Sequence, residues 1–87
     1  MNTAFLLMAR YDALVIIPVE IVCRDFFSHL TPEKFLRKVA AGEIDLPIVR
    51  IEGSSQKTAK GVYLMDLAHY IDKRHEAAVR EAKALCG

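Results

Sequence analysis

Apolar positions at the start of the chain follow a helical spacing from Thr3 to Tyr11. Asn2 or Thr3 is the predicted N-cap, because its side-chain oxygen can accept a hydrogen bond from an unpaired backbone N–H. The helix has one wide apolar stripe, formed by Phe5, Leu6, Leu7, Met8 and Ala9. A stripe this wide on one short helix is expected to pack on the core or on a second subunit.

A β-branched run at residues 14–17 predicts a short strand or an extended connector. Pro18 then suits the first turn of a second helix, where its missing N–H costs nothing, and this helix runs to about Phe27. Its predicted inward side chains are Val19, Val22, Cys23, Phe26 and Phe27. Residues 28–30 break it before the next helix begins.

Thr31 and Pro32 form the clearest helix start in the chain, since threonine caps a helix and proline is tolerated at its first position. The helix is predicted to continue through Ala41 and to stop at Gly42, which can adopt the left-handed conformation that ends many helices. Two helices joined by a short break form a candidate helix-turn-helix over about residues 18–42.

Two predicted strands follow, Leu46 to Glu52 and Val62 to Met65, separated by a polar loop between two glycines. Asp66 is the predicted cap of a last helix that runs to about Leu85. The predicted strands and their loop form a hairpin beside the helix pair.

The predicted fold class is therefore α+β, a winged helix-turn-helix with an N-terminal helix. The two-stranded wing covers about residues 46–65, and the long C-terminal helix covers about residues 66–85. A chain of 87 residues has room for one domain, predicted over residues 1–87. Apolar residues make up 53% and charged residues 26%, which excludes a disordered tail protein.

The third helix carries long cations on the side opposite its apolar residues. Lys34, Arg37, Lys38 and the small Ala41 share this side, as in a helix that enters the major groove of DNA. Thr31 at its start is a further candidate contact. A plain amphipathic surface helix with a solvated charged side gives the same pattern, so the spacing alone leaves both interpretations open.

The hairpin loop favours nucleic acid, because its side chains can donate to phosphate oxygens and no acid interrupts them. These predicted contacts are Ser55, Gln56, Lys57, Thr58 and Lys60. Arg50 on the strand before them either reaches the DNA or pairs with Glu52 or another acid. The net charge is only +1, but residues 31–65 hold six bases against four acids. Taken alone, the loop could equally be a flexible, soluble hairpin tip.

Other classes of function find little support in the sequence. His29, His69 and His75 lie in different segments, and there is no nucleophile motif, metal-ligand spacing or glycine-rich phosphate loop. We therefore expect no enzyme activity, no cofactor and no metal. Two cysteines are too few for a disulfide scaffold. With no apolar run near the ~20 residues that cross a bilayer and no signal-peptide start, a cytoplasmic protein is expected.

Several blocks of the sequence, in order, resemble the pyocin activator protein (PrtN-like) family. The blocks are Met1–Ala9, Ile17–Glu20, Val22–Phe27, Leu30–Val39, Gly42–Arg50, Gln56–Lys57 and Asp66–Asp72. The resemblance implies a bacterial transcriptional activator that binds double-stranded promoter DNA upstream of pyocin genes. In that family a repressor holds the activator off until DNA damage removes the repressor. Activation implies RNA polymerase as a further partner.

A homodimer through the first or the last helix is a separate expectation, motivated by the Phe5 and Met8 stripe and by the alanine-rich C-terminal segment. Two alternative functions remain. One is a protein-interaction adaptor or anti-repressor that docks through the apolar first helix. The other is an excisionase-like architectural protein, which shares the winged shape but bends DNA instead of recruiting polymerase.

Overall fold

The computed structural model describes residues 2–53 and 58–86, which form four helices and a three-stranded antiparallel sheet. Along the chain the elements are α1 (Thr3–Arg10), β1 (Ile16–Pro18), α2 (Val19–Phe26), α3 (Pro32–Ala40), β2 (Val49–Arg50), β3 (Lys60–Tyr63) and α4 (Leu64–Cys86). The predicted α+β class is confirmed, and the arrangement is that of a small helix-turn-helix-like domain.

The helix boundaries with strong local signals lie where the sequence predicts them. The Asn2 side chain accepts a hydrogen bond from the Ala4 N–H at 2.9 Å and so caps α1. The Thr31 hydroxyl accepts from the Lys34 N–H at 3.2 Å and caps α3. Just after α3, Gly42 has a φ of 78°, which is the left-handed conformation expected of a residue that follows a helix.

The predicted hairpin is an antiparallel pair, but its first strand is much shorter than predicted. β2 pairs with β3 in the register Arg50↔Lys60, and it covers two residues instead of the predicted run from Leu46 to Glu52. Pro47 has no N–H for a sheet ladder, and the chain on either side of it follows the end of α3 before turning into β2.

β1 lies on the other side of β3, so the sheet order is β1-β3-β2. Gly61 sits in the middle strand where β1 approaches very closely. A Cβ atom at Gly61 would lie 2.5 Å from Ile16 Cγ2 and 2.8 Å from the Ile17 carbonyl oxygen. Only glycine therefore allows the two strands to pair in this register.

The start of α4 corrects the prediction that Asp66 caps the last helix. β3 passes directly into α4 at Leu64, so Met65 is helical and Asp66 lies inside the first turn. The Leu64 N–H, unpaired within the helix, donates to the Val15 carbonyl at 2.9 Å. A backbone contact with the segment before β1 thus replaces the expected side-chain cap.

The core is one cluster of apolar side chains from all four helices, β1 and β3. Its largest fully buried members are Phe35, Ile17, Leu67, Val22 and Val62. One prediction about the core is wrong, because Phe26 in α2 is 38% exposed. α1 faces the core with Ala4 and Leu7, followed by Tyr11, and leaves Phe5 and Met8 exposed, so these two side chains are not packed on the core.

A polar cluster joins α1 to α2. The Asp25 carboxylate accepts hydrogen bonds from the Arg24 guanidinium at 2.9 Å and from the Tyr11 hydroxyl at 2.5 Å. These two hydrogen bonds, with the nearby charges of Arg24 and Arg10, lower the pKa of Asp25 from 3.8 to about 2. Burial and then the Asp25 hydrogen bond raise the pKa of Tyr11 to about 12.

This lowered pKa predicts a pH-dependent contribution of Asp25 to stability. A carboxylate whose pKa is lowered by folding stabilises the protein above its ordinary pKa, and the contribution is lost as the pH falls through the folded value. We expect the difference in thermal unfolding midpoint between the wild type and Asp25→Asn to become smaller as the pH falls from about 5 to about 2. Thermal melts followed by circular dichroism measure this. A gap that stays constant with pH would show that the Asp25 charge contributes nothing.

The turn after α1 holds two consecutive non-glycine residues in the left-handed region, Asp12 with φ 53° and Ala13 with φ 59°. For alanine this conformation costs about 1 kcal/mol or more relative to glycine. We expect Ala13→Gly to raise the free energy of unfolding by about 1 kcal/mol. Ala9→Gly, at an exposed position in the last turn of α1, should lower it, by up to about 1 kcal/mol. Urea unfolding of both variants gives the comparison, and equal destabilisation would contradict the prediction.

Candidate nucleic-acid interface

The cations of α3 are presented to solvent because the opposite side of the helix is anchored in the core. Phe35 is fully buried, with its ring centroid 4.9 Å from that of Phe27 after α2. Leu36 and Val39 pack partly buried against the same core. This anchoring leaves Lys34 and Arg37 exposed on the outer side, as the periodicity of the sequence predicts.

An open groove of ≈ 520 Å³ runs between α3 and the β2–β3 hairpin. Three predicted site residues from three different elements line it: Arg37 from α3, Arg50 from β2 and Lys60 from β3. The Arg50↔Lys60 register of the hairpin places the last two directly across from each other. The fold therefore gathers cations that are far apart in the sequence into one feature, here called the cationic groove.

The apolar floor of the cationic groove is a feature that the sequence did not reveal. It is formed by Leu36, Val39, Ala40, Leu46, Pro47 and Ile48. The 46–48 segment was predicted as part of a strand, and its position beside α3 depends on where the chain turns after the helix. Its proline and apolar side chains were visible signals, but no spacing rule connects them to α3.

The charges of Arg37 and Arg50 in the groove are available to an anion. Among the residues that the structure describes, no carboxylate lines the cationic groove, and no ion pair involves Lys34, Arg37 or Arg50. The alternative that Arg50 pairs with Glu52 is therefore not realised. The Lys60 ammonium donates a hydrogen bond to the Thr58 carbonyl at 3.5 Å.

Beside this groove, a second shallow depression of ≈ 430 Å³ is lined by Lys34, Arg37, Lys38, Ala41 and Glu43. Lys38 forms an ion pair with Glu43 at 3.4 Å. Because both side chains are largely exposed, this pair contributes about 0–1 kcal/mol, and a phosphate can replace the carboxylate at little cost. Arg37 borders both depressions, which makes it the central cation of the surface.

The remaining predicted contacts fall into two groups. The hydroxyls of Thr31 and Thr58 accept backbone hydrogen bonds, from Lys34 at 3.2 Å and from Glu52 at 2.9 Å. Thr58 is 9% exposed and its hydroxyl is used by this contact with Glu52, so its phosphate contact stays a prediction. The predicted contacts Ser55, Gln56 and Lys57 lie outside the described residues.

Two other kinds of feature are absent from the part of the chain that the structure describes. No three His, Cys, Asp or Glu side chains come together in a way that would hold a metal ion. Within the same residues, no helical segment combines the length and apolar character that a bilayer crossing needs.

The sequence model of one family, described as pyocin activator protein PrtN, matches residues 3–78. The chain belongs to the pyocin activator protein PrtN family. No curated protein and no solved structure matches it. The family resemblance expected from the sequence blocks is thereby confirmed.

The PrtN family match contains the whole cationic groove. It begins with α1, continues through α2, α3 and the hairpin, and ends within α4. Residues 79–86, the last turns of α4, lie beyond the match. The described part of this final segment is exposed throughout, so it supports neither the core nor the groove.

Proposed function

We propose that this PrtN-family chain is a sequence-specific DNA-binding activator of pyocin genes and that the cationic groove is its DNA-binding site. The observation that carries the proposal is the convergence of Arg37, Arg50 and Lys60 on one groove with no carboxylate among its described lining residues. Family membership supplies the target genes, since the family is described as pyocin activator protein.

In the proposed complex the domain acts as a winged helix-turn-helix. α3 is the recognition helix, and its outer side with Lys34 and Arg37 enters the major groove, which is wide enough to admit a helix. The β2–β3 hairpin is the wing. Arg50 and Lys60 on it contact the phosphate backbone beside the helix. α2 (Val19–Phe26) is the first helix of the helix-turn-helix, and its contact with α3 supports this arrangement.

Base recognition is assigned to Arg37, because a guanidinium can donate two parallel hydrogen bonds to a guanine edge. Lys34 and Lys38 flank it and are assigned to phosphates. Activation requires a further contact with RNA polymerase, for which the exposed surface away from the cationic groove is available.

The second candidate function is a protein-interaction adaptor, and one specific observation favours it. α1 exposes Phe5 and Met8, which are not used by the core or by the cationic groove. An adaptor that docks through α1 would bind DNA weakly and would be insensitive to loss of the cations in the groove.

Fluorescence anisotropy on a labelled duplex from a pyocin promoter tests the proposed function. We expect binding that survives an excess of scrambled duplex. The slope of log affinity against log salt should be about −0.9 for each phosphate contacted. Binding that scrambled duplex removes would contradict sequence-specific recognition, and the adaptor would then be the better account.

A further inference from the structure

A continuous apolar surface lies at the other end of β3 from the cationic groove. A cavity of ≈ 190 Å³ there is lined by Met8, Ala13, Leu14, Val15, Tyr63, Leu64 and Met65. Phe5 lies one turn before Met8 on α1, at a spacing that makes the two side chains neighbours. We call this surface the α1 patch. Its exposed apolar members are Phe5, Met8, Leu14, Val15, Tyr63 and Met65.

The exposure of the α1 patch is large for a chain of this size. The exposed fractions run from 38% at Met8 to 67% at Phe5. With about 150–200 Å² for a whole side chain of this kind, the six members expose roughly 500 Å² of apolar surface. Among the described residues, no charged side chain lines the cavity of the patch. The largest apolar patch of a monomeric protein is commonly about 300–600 Å² and is often functional, so a patch at the upper part of this range on an 87-residue chain is a candidate interaction site.

We propose that the α1 patch is the interface through which two copies of this chain form a symmetric dimer. The exposed apolar area matches what a second copy of the chain needs. A stable interface buries about 800 Å² on each partner, and in homodimers about 65% of it is apolar, which gives roughly 520 Å². The patch supplies that amount, and a two-fold axis through it covers both copies with a single contact.

The β1 edge of the sheet, which directly follows Leu14 and Val15 of the α1 patch, does not offer an alternative route to the dimer. β1 is an edge strand of three residues, and it ends in Pro18, which has no N–H to donate to a partner strand. The copies therefore meet through side chains of α1 and of the segments beside it, not through a continuous sheet.

The dimer leaves the cationic groove accessible. Lys60 at the start of β3 lines the groove, and Tyr63 at its end belongs to the patch. They lie three positions apart, or about 10 Å, at opposite ends of the same strand. Two copies joined at the patch each present a groove, so the dimer would recognise two half-sites.

Sedimentation velocity of the full chain over about 1–200 μM tests the dimer without any DNA, so its result is independent of the proposed function. We expect a dimer that dissociates in the micromolar range. Phe5→Glu and Met65→Lys should each weaken dimerisation by at least ~30-fold, the effect of losing a central interface side chain. Leu85→Glu is the matched control, because Leu85 is 88% exposed and lies outside the patch.

Each outcome decides the matter. A wild-type chain that remains monomeric at the highest concentration would overturn the proposal. A dimer that Phe5→Glu and Met65→Lys both leave intact would place the interface outside the α1 patch, and on α4 if Leu85→Glu disrupts it, and would also overturn the proposal. Circular dichroism confirms that the variants are folded, and agreement between the two patch variants guards against a local defect in either one.

Discussion

Replacing Phe35 with alanine is expected to lower the free energy of unfolding by about 3–5 kcal/mol. The Phe35 side chain is fully buried at the inner side of α3, where its ring packs at 4.9 Å from the ring of Phe27. Phe27 in turn packs at 5.9 Å from Tyr70 of α4. Truncation removes the contacts that hold α3 on the core and leaves a cavity. For a domain with a total stability of about 5–15 kcal/mol, this loss is a substantial share of the whole.

Urea unfolding measured by circular dichroism tests this prediction. Lys34→Ala is the matched control, because Lys34 lies one residue away on the same helix and is exposed. Its stability should change by less than about 0.5 kcal/mol. A loss below about 1 kcal/mol for Phe35→Ala would mean that the core does not depend on the packing of α3.

Replacing Arg37 with alanine is expected to weaken binding to promoter DNA by about 1–3 kcal/mol, or roughly 5- to 150-fold. Arg37 is exposed and has no ion-pair partner among the described residues. It lines both the cationic groove and the shallow depression beside it. Its loss removes a bidentate base contact, so preference for the promoter over scrambled duplex should fall together with affinity. Arg37→Lys should keep the salt dependence but lose much of the sequence preference.

Arg74→Ala is the matched control for Arg37→Ala. Both substitutions remove one exposed arginine, but Arg74 lies on α4 in a depression away from the cationic groove. Its removal should change affinity only through net charge. Equal effects of the two substitutions in competition anisotropy would show that Arg37 contributes only non-specific attraction.

The local signals of the sequence predicted the helix ends well. Asn2, Thr31 and Gly42 act through their own side chain or backbone conformation, and the structure shows the expected cap hydrogen bonds and positive φ. Such effects depend on a few neighbouring residues, which is why one sequence suffices to find them.

Contacts between segments that are distant in the sequence were harder to predict. Every residue from Ala4 to Ala9 is apolar, so periodicity could not decide which side of α1 faces inward. Its contact with α4 decides this, and it turns Leu7 inward and Phe5 outward. Likewise, α4 begins at Leu64 because a backbone hydrogen bond to Val15 replaces a side-chain cap.

The same contrast between local features and long-range contacts applies to the candidate site. The cations of α3 follow from helical spacing, and Arg50 and Lys60 from the polar hairpin. Their common groove follows only from the strand register and from the path of residues 46–48 beside α3. The sequence thus predicted which side chains belong to the site, whereas only the structure shows that Arg37, Arg50 and Lys60 line one groove.

A titration of the isotope-labelled protein with promoter duplex, followed by changes in the backbone amide NMR signals, tests the central claim most directly. If the cationic groove binds DNA, the largest changes should occur at Lys34 to Lys38 of α3, at Arg50 and at Lys60. They should be small at Phe5 and Met65 of the α1 patch. The largest changes at the α1 patch, with the groove signals unmoved, would contradict the account.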